Sequence, residues 1–521
     1  MNVLFLSLPI VERDLDRSKS YVRANMPYGI LSIASYVEKY SKKVESIKIL
    51  DLNVKSSYEY YMHPEALLEY LETNDFDVIG ISAMFNAGLG YLQEYADVIK
   101  KYDENIFVFA GGISASNQYK KVLKHVKNID AVCIGEGEIP VLDLLEHELD
   151  ERILHEHPAW ITAKDVDTKM VSSVFVENLD EIPPIKYEYL KIDEYETRGF
   201  SKKPLPAFPM HFTRGCPFNC IFCCAANNHG KKIRSMSAAR FIDDVKRMVE
   251  KYGAKVIDID DDQVLLYQDR AKEILRGIKD LDVRLEFASG LSVRYIDEEL
   301  AELMAECGVK EIFLAVESGS ERMLKEVIDK PLRLEEIKPV VDALRKFNIV
   351  VKAFFVIGIP GETPDDREKT LNFIKETGFD WSFISIALPF IGSRLYDVCI
   401  ENNYIQEEEY AEKTLVPEVG LIKAPYIEPN EMEEIAYSMN LEVNFVENYT
   451  YKIGNYEEAE RQFERVCTRF PEQAFAHYFL AKTMEKLGRN HELIEEHYDR
   501  FNKIVNSNKQ WHEYAKKYKL I

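Results

Sequence analysis

One local pattern, repeated, constrains this chain more than any other. A short apolar run stops at Gly, Ser or Asp, and an amphipathic stretch with helical spacing follows. Such runs fall at 3–8, 44–50, 78–82, 106–110 and 131–134, with helix-like stretches at 29–40, 64–72 and 89–100. Runs apolar on both faces suit the interior of a parallel sheet, and the intervening helices supply the crossovers such a sheet needs. A doubly wound, Rossmann-like α/β domain over 1–150 is therefore expected, with its ligand at the carboxyl ends of the strands. The pattern restarts at 208–213 and continues at 256–259, 284–287, 311–316, 350–357 and 382–386, with helix-like stretches at 238–252, 297–307 and 334–347. Between the two series, Asn178-Leu179-Asp180-Glu181-Ile182-Pro183-Pro184 sets two prolines after an acidic turn, a linker signal within 151–205. Beyond about residue 425 the pattern turns wholly helical, giving a final region at 426–521.

Bulk composition narrows the class. A chain of 521 residues exceeds one hydrophobic core and calls for two to four domains. Its 46% hydrophobic and 30% charged residues fit a globular enzyme. No run of about eighteen uncharged apolar residues offers a membrane span. The apolar start from Met1 to Ile10 lacks the basic residues and cleavage site of a signal peptide, and reads as a buried strand. With 66 Lys+Arg against 89 Asp+Glu the formal charge is −23, a poor match to phosphate backbones, so no nucleic-acid partner is expected. Five of the 8 cysteines lie outside the one close triplet, which is the pattern of a reducing compartment; the cytoplasm is the expected location.

The triplet lies in Arg214-Gly215-Cys216-Pro217-Phe218-Asn219-Cys220-Ile221-Phe222-Cys223, a C-x3-C-x2-C spacing just past a strand-like run. Three thiolates on one short loop can hold three irons of a cubane cluster. The fourth iron then keeps an open position, the mark of a reactive metal site. Zinc is the plain alternative, with Cys224, His211 or His229 completing a tetrahedron, although no second C-x2-C lies elsewhere. Cys224 otherwise reads as a packed thiol beside the loop.

The triplet resembles the signature of the radical S-adenosylmethionine (SAM) superfamily. That resemblance implies a 4Fe-4S cluster on Cys216, Cys220 and Cys223, with SAM on the open iron and Phe222 beside its adenine. It also implies that the six β/α units in 206–425 form a partial (β/α)6 barrel with functional groups on the loops after its strands. On those loops Asp261 and Asp262 stand where the superfamily places polar groups near the methionine amino group. Glu317 and Ser318 look like its ribose- and carboxylate-contacting turn, and Gly358 and Pro360 belong to a tight turn near the expected adenine. Pro389-Phe390-Ile391-Gly392-Ser393 resembles the motif closing the sixth unit. Arg294 fits a bidentate partner for the methionine carboxylate. Plainer roles stay open: Glu317 as a helix cap, Asp260 to Asp262 as a solvated turn, Arg294 in a surface ion pair. Ala315 departs from the family, which often has glycine there.

The first α/β series has its own resemblance. Pro27-Tyr28-Gly29, Asp51-Leu52-Asn53, Gly80-Ile81-Ser82, Gly111-Gly112 and Gly135-Glu136-Gly137-Glu138 follow in the order seen in the cobalamin-binding domain that precedes many radical SAM domains. The resemblance implies cobalamin contacts from Ser82, Gly111, Gly112, Gly135, Glu136 and Gly137, where glycines let a flat ligand approach the backbone. A non-binding or nucleotide-binding Rossmann domain is the alternative. The Asp-x-His-x-x-Gly motif is missing: the loop 9–26 has no histidine, and His63 is the first in the chain. Cobalt is therefore expected without a histidine ligand from this domain.

Both modules in one chain imply a cobalamin-dependent radical SAM enzyme. Reductive cleavage of SAM would give a 5′-deoxyadenosyl radical, and methylcobalamin would supply a methyl group. The expected reaction is methylation of an unactivated carbon, or a phosphinate phosphorus, in a small molecule or a natural-product or lipid precursor. An electron donor such as flavodoxin or ferredoxin is implied. A radical cyclase or rearrangement enzyme keeps the same cofactors without methyl transfer, and a non-catalytic corrinoid-binding or helical-repeat scaffold is a third reading. A methylthiotransferase would need three further N-terminal cysteines where only Cys133 stands. In the C-terminal region Ile453-Gly454-Asn455-Tyr456-Glu457-Glu458-Ala459, Phe463, Pro471 and Leu487-Gly488 resemble a tetratricopeptide repeat. With about one and a half repeats, it is expected to pack on the barrel, cover the substrate opening, or dock a protein partner.

Overall fold

The computed structural model of the protein describes residues 1–9, 25–54, 63–84, 86–195, 207–287, 289–406 and 418–521. Most of the histidine-free loop 9–26 lies outside them.

Strands β1 (Asn2–Ser7), β2 (Ser46–Asp51), β3 (Val78–Ser82), β4 (Phe107–Gly111), β5 (Ala131–Cys133) and β6 (Trp160–Ile161) form one sheet in the order β2-β1-β3-β4-β5-β6. The first five are parallel, as the apolar runs lead one to expect, and β6 pairs antiparallel with β5. Alternate side chains sort onto two faces. Leu4, Leu6, Ile79, Ile81 and Val108 enter one core, and Val3, Phe5, Val78, Phe109 and Ala131 enter another. Two buried faces explain why these strands read as continuous apolar runs. β6 falls inside the stretch read as a linker; it is two residues long, and its Trp160 packs edge-on against Phe109 at 5.2 Å.

The chain leaves β1 to β2 on one side and returns to β3 on the other, so the strand order reverses at β1. The register pairs Ser7 with Asp51, Ser7 with Ser82, and Ser82 with Gly111. The strand ends thus align along one carboxyl edge, where such sheets bind ligands.

The second series gives β7 (Ala207–Met210), β8 (Thr213–Arg214), β9 (Arg234–Ser235), β10 (Val256–Ile259), β11 (Arg284–Phe287), β12 (Glu311–Glu317), β13 (Val350–Ile357) and β14 (Trp381–Ile386). Two parallel triplets, β7-β10-β11 and β12-β13-β14, are bridged between Leu291 and Leu314. Their six strands make a barrel open between β7 and β14, and β8 and β9 form a small antiparallel pair after the first strand. The helices are held by ordinary caps. Ser237 accepts from the Arg240 N–H ahead of Ala238–Tyr252, and Gly253 closes that helix at φ +63°.

An open barrel leaves β14 with a bare edge. The helix Pro429–Leu441 and its continuation Glu442–Val446 cover it with two asparagines. Asn444 accepts from the Ser382 N–H at 2.8 Å and donates to the Ser382 carbonyl at 2.7 Å. Asn440 does the same for Ile384, at 3.2 and 2.8 Å. Four residues of helix advance about 6 Å, close to two residues of strand, so the amides stand in for a seventh strand.

The C-terminal helices Tyr456–Arg469, Ala474–Lys486, His491–Ser507 and Lys509–Lys517 enclose their own core around Phe463, Phe475, Phe479 and Phe501. They join the barrel at the starts of its strands. Trp381 packs edge-on against Phe445, Asp380 accepts from Thr450 at 3.0 Å, and Arg465 lies 3.8 Å from Glu311. These contacts are at the starts of the strands, so this part of the region packs on that end of the barrel, while Met432 of the helix Pro429–Leu441 lies 3.6 Å from where a Cβ on Gly358 would stand, at the other end. No helix among the described residues is long and apolar enough to cross a membrane.

Candidate active site

The cysteine triplet hangs on the β8–β9 pair. Gly215 leaves β8 at φ +104°, where an added Cβ would come within 2.4 Å of the Lys232 carbonyl oxygen; only glycine fits. The Cys216 N–H donates to the Gly230 carbonyl at 3.1 Å, and the Cys223 N–H to the Cys220 carbonyl at 3.0 Å. Ile221 donates to Ile328 at 2.9 Å and accepts from the Leu395 N–H at 2.8 Å, so later barrel segments hold the loop from outside. All three thiols are free; Cys216 is buried, Cys220 half-buried and Cys223 exposed. Burial pushes the Cys216 thiol up and the Cys220 thiol up to about 12, and a bound metal would offset this by favouring the thiolates.

A single ion does not fit the triplet. Among the described residues only one set of three His, Cys, Asp or Glu has its ligand atoms all within 4.8 Å of one another, and it lies elsewhere in the chain. Thiolates on one zinc, each about 2.3 Å from the metal, cannot stand further apart than that. Nor are the zinc alternatives poised to help. His229 is bound to Glu136 at 2.8 Å, His211 packs on Tyr28 with ring centroids 4.4 Å apart, and Cys224 faces the Ile391 carbonyl at 3.9 Å.

The loops after the barrel strands converge on these cysteines. Asp261 is 3% exposed and accepts from the Phe212 N–H at 3.0 Å, the Thr213 N–H at 2.7 Å and the Thr213 hydroxyl at 2.6 Å. Burial lifts its carboxyl to about 7. Its work is to brace the strand leading into the triplet loop. Asp262, half-buried, accepts from the Gly215 N–H at 3.1 Å and acts electrostatically on Cys216 and Cys223. Gln263, which sequence reasoning missed, donates to the Cys216 sulfur at 3.6 Å and accepts from Ser292 at 2.9 Å.

Glu317 ends β12 at φ +72°, a backbone that costs a non-glycine residue energy and recurs at functional sites. It pairs with Lys330 at 3.1 Å. Lys330, also unforeseen, lies close enough to Cys220 and Cys223 to interact with both, and Glu317 raises its pKa against the opposing pull of burial. Ser318 is 1% exposed and turned inward, sharing a 3.3 Å hydrogen bond with Thr370 and accepting from the Ser320 N–H. Gly358 takes φ +78°, and its N–H donates to Glu362 at 2.7 Å. Burial raises the Glu362 carboxyl to about 7, and its Oε1 has no hydrogen-bond partner among the described residues. Pro360 and Phe222 are half-buried, Phe222 against the barrel core, while Arg294 is exposed beside Tyr295.

On the N-terminal sheet, Ser82, Gly111, Gly112 and Gly135 are half-buried along the carboxyl edge. An added Cβ at Gly111 would meet only the Cys133 Cβ, at 4.0 Å, so backbone there is approachable, as cobalamin requires. The other glycines serve internal packing. A Cβ at Gly112 would meet the Ala83 oxygen at 2.8 Å, one at Gly135 the Ser173 hydroxyl at 2.2 Å, and one at Gly137 the Ile33 side chain at 2.5 Å. His63 is exposed.

Glu136 departs furthest from its reading as a cofactor contact. Its carboxylate accepts from Arg214 at 3.0 Å, from Arg234 at 2.9 and 2.5 Å, and lies 2.8 Å from His229. Arg214 also reaches Glu138 at 2.8 Å and Ser32 at 3.1 Å. This buried network joins the last loop of the sheet to the residue two places before Cys216. Nearby, the Gly392 Cα approaches Asn117 and Asn227, and Asn227 donates to the Gly392 carbonyl at 2.6 Å. The carboxyl edge of the first sheet therefore abuts the cluster loop.

Comparison with known proteins agrees with this arrangement. Residues 210–374 match the model of the Radical SAM superfamily and residues 24–145 that of the B12 binding domain. The chain is 27% identical over 471 residues to cytidylyl-2-hydroxyethylphosphonate methyltransferase of Streptomyces wedmorensis, covering 81% of this chain and 86% of that protein. An uncharacterized methyltransferase of Pyrococcus horikoshii is 27% identical over 416 residues, covering 76% of this chain and 83% of the other. The fold is shared with the radical SAM methyltransferase TsrM from Kitasatospora setae, solved with cobalamin and a 4Fe-4S cluster, at a TM-score of 0.61 and 13% identity over 97% of this chain and 99% of that one. The chain belongs to the cobalamin-dependent branch of the radical SAM superfamily, enzymes that use a 4Fe-4S cluster, SAM and cobalamin.

Proposed function

We propose that this enzyme methylates an unactivated carbon or a phosphorus of a small molecule. When bound, the cluster and SAM supply a 5′-deoxyadenosyl radical and cobalamin supplies a transferable methyl group. The observation that carries the reading is the junction of the two sites: Glu136 and Glu138 of the cobalamin-type sheet hold Arg214, two residues from the cluster loop. A substrate at the barrel opening would then face both cofactors.

In this reading Cys216, Cys220 and Cys223 hold the cluster, and Lys330 and Gln263 set the charge and hydrogen bonding around their sulfurs. Asp262 and Glu317 face SAM from two strand ends, with Asp261 and Ser318 bracing the backbone behind them. Gly358, Pro360 and Phe222 would shape the adenine side, and exposed Arg294 would pair the methionine carboxylate. Ser82 and Gly111 would contact cobalamin, Gly112, Gly135, Glu136 and Gly137 would hold the loops on which it rests, and no histidine from this sheet would be its ligand. The segments 1–150, 206–425 and 426–521 act as cobalamin module, barrel and helical support, and 151–205 adds β6 to the first sheet before linking it to the barrel. A reduced flavodoxin or ferredoxin in the cytoplasm supplies electrons.

The reading is tested without knowing the substrate. Enzyme reconstituted anaerobically with iron, sulfide and reduced cobalamin is given SAM carrying a deuterated methyl group. Labelled methylcobalamin, and then a labelled small molecule from a host extract, are expected by mass spectrometry. Deoxyadenosine accumulating with no label on cobalamin or product would replace methylation with cyclisation or rearrangement.

A further inference from the structure

The one tight set of metal-type ligands among the described residues lies far along the chain from the cluster loop. Cys467, His477 and His497 come from three successive helices, Tyr456–Arg469, Ala474–Lys486 and His491–Ser507, and their ligand atoms all lie within 4.8 Å of one another. The two imidazoles meet Nδ1 to Nδ1 at 2.8 Å. The other nitrogen of His477, Nε2, is 3.0 Å from the Pro471 carbonyl. A carbonyl only accepts, so His477 carries its proton on Nε2 and turns the Nδ1 lone pair toward His497. An outer carbonyl fixing the tautomer in this way is how proteins orient a metal-bound histidine.

The surroundings favour ligation over charge. His477 is 7% exposed, and Arg500, donating to the same Pro471 carbonyl, adds positive charge beside it. Burial depresses both histidines, which favours the neutral imidazole a metal needs; His497, whose Nδ1 donates to His477 in the metal-free site, would move that proton to Nε2 on binding. Cys467 is buried in the aromatic core of this region and has no disulfide partner. Glu464, one helical turn before it, is exposed and acts electrostatically on both Cys467 and His497. Three protein ligands would leave zinc's fourth position to solvent. Two imidazoles and one thiol are a soft-to-borderline donor set that suits zinc and not magnesium or calcium.

We propose that Cys467, His477 and His497 form a zinc site that fastens these three helices together, separate from the iron–sulfur triplet. Binding replaces the thiol proton with the metal and releases it to solvent. A region with so few repeats gains by this the cross-link that a longer solenoid obtains from neighbouring repeats.

The test uses the full chain carrying Cys216→Ala, Cys220→Ala and Cys223→Ala, so that zinc cannot lodge on the cluster loop. After chelation, this protein is titrated with zinc against a chromophoric chelator, and with cobalt as a spectroscopic stand-in. Expected are one zinc per chain, a tetrahedral cobalt spectrum with a thiolate charge-transfer band, and a zinc-dependent rise in the unfolding temperature. Adding His497→Ala, half-exposed and so tolerant of change, should weaken zinc binding by more than the ~10- to 100-fold that loss of an outer partner costs. Adding Cys467→Ser should remove the charge-transfer band. If the parent binds no zinc, or binds it equally well with His497→Ala while circular dichroism shows the helices intact, the histidines are only an interhelical hydrogen bond and the proposal fails.

Discussion

Glu136 and Lys330 show what single residues do here beyond any motif. Burial alone would raise the Glu136 carboxyl from its ordinary 4.5, but Arg214, His229 and Arg234 outweigh it and hold it well below the usual carboxylate range. A depressed carboxylate contributes stability that is present above 4.5 and lost as pH falls toward its folded value. Glu136→Gln should therefore cost about 3–5 kcal/mol near neutral pH, since it takes the carboxylate from buried Arg234 and leaves buried Arg214 to Glu138 alone. It should also flatten the loss of stability below pH 4.5 in urea titrations. Lys330→Met removes a cation beside Cys220 and Cys223 and leaves Glu317 unpaired. The reconstituted cluster should then become harder to reduce by on the order of 60 mV, the one-electron equivalent of about 1.4 kcal/mol, as read by a redox titration followed by electron paramagnetic resonance. Neither role was legible in the sequence. Glu136 sits in a glycine-rich loop whose pattern speaks for backbone, and Lys330 precedes a proline with nothing to tie it to cysteines more than a hundred positions away. The triplet itself was legible, because its ligands are close in sequence.

At the scale of elements, the runs at 78–82, 256–259, 284–287 and 350–357 coincide with β3, β10, β11 and β13. β3 and β10 are buried on both faces and cannot tolerate interruption, while β11 shows as an alternation of charged and apolar residues. What escaped was short or capped from afar: β6, two residues long, and the asparagine cover of β14. Asn440 and Asn444 read as unremarkable polar residues in a helix until the strand edge beside them is known. Asn444→Ala leaves the Ser382 N–H and carbonyl buried and unpaired, and should cost about 1–3 kcal/mol. The double change at Asn440 and Asn444 should cost more and open this edge to association, seen by denaturant unfolding and light scattering. Gly215→Ala forces a methyl into the Lys232 backbone at a positive φ. Iron content after reconstitution should fall by more than half while the rest of the barrel still folds.

In the whole molecule, two α/β units meet through a buried ionic network with the cluster loop between them, and the helical region supports the barrel from its far end. The order of modules was readable from repeated strand and helix patterns. Their mutual placement was not, because it rests on pairs such as Glu136 with Arg214 that are distant in sequence. Radical generation requires that the three thiols leave one iron open to SAM. The direct measurement is 5′-deoxyadenosine formed from SAM by the anaerobically reconstituted, dithionite-reduced enzyme, compared with Cys216→Ala, Cys220→Ala and Cys223→Ala. The wild-type chain should release it, and each variant should fall to the background of SAM with dithionite alone. Undiminished release from any one of the variants would contradict the account.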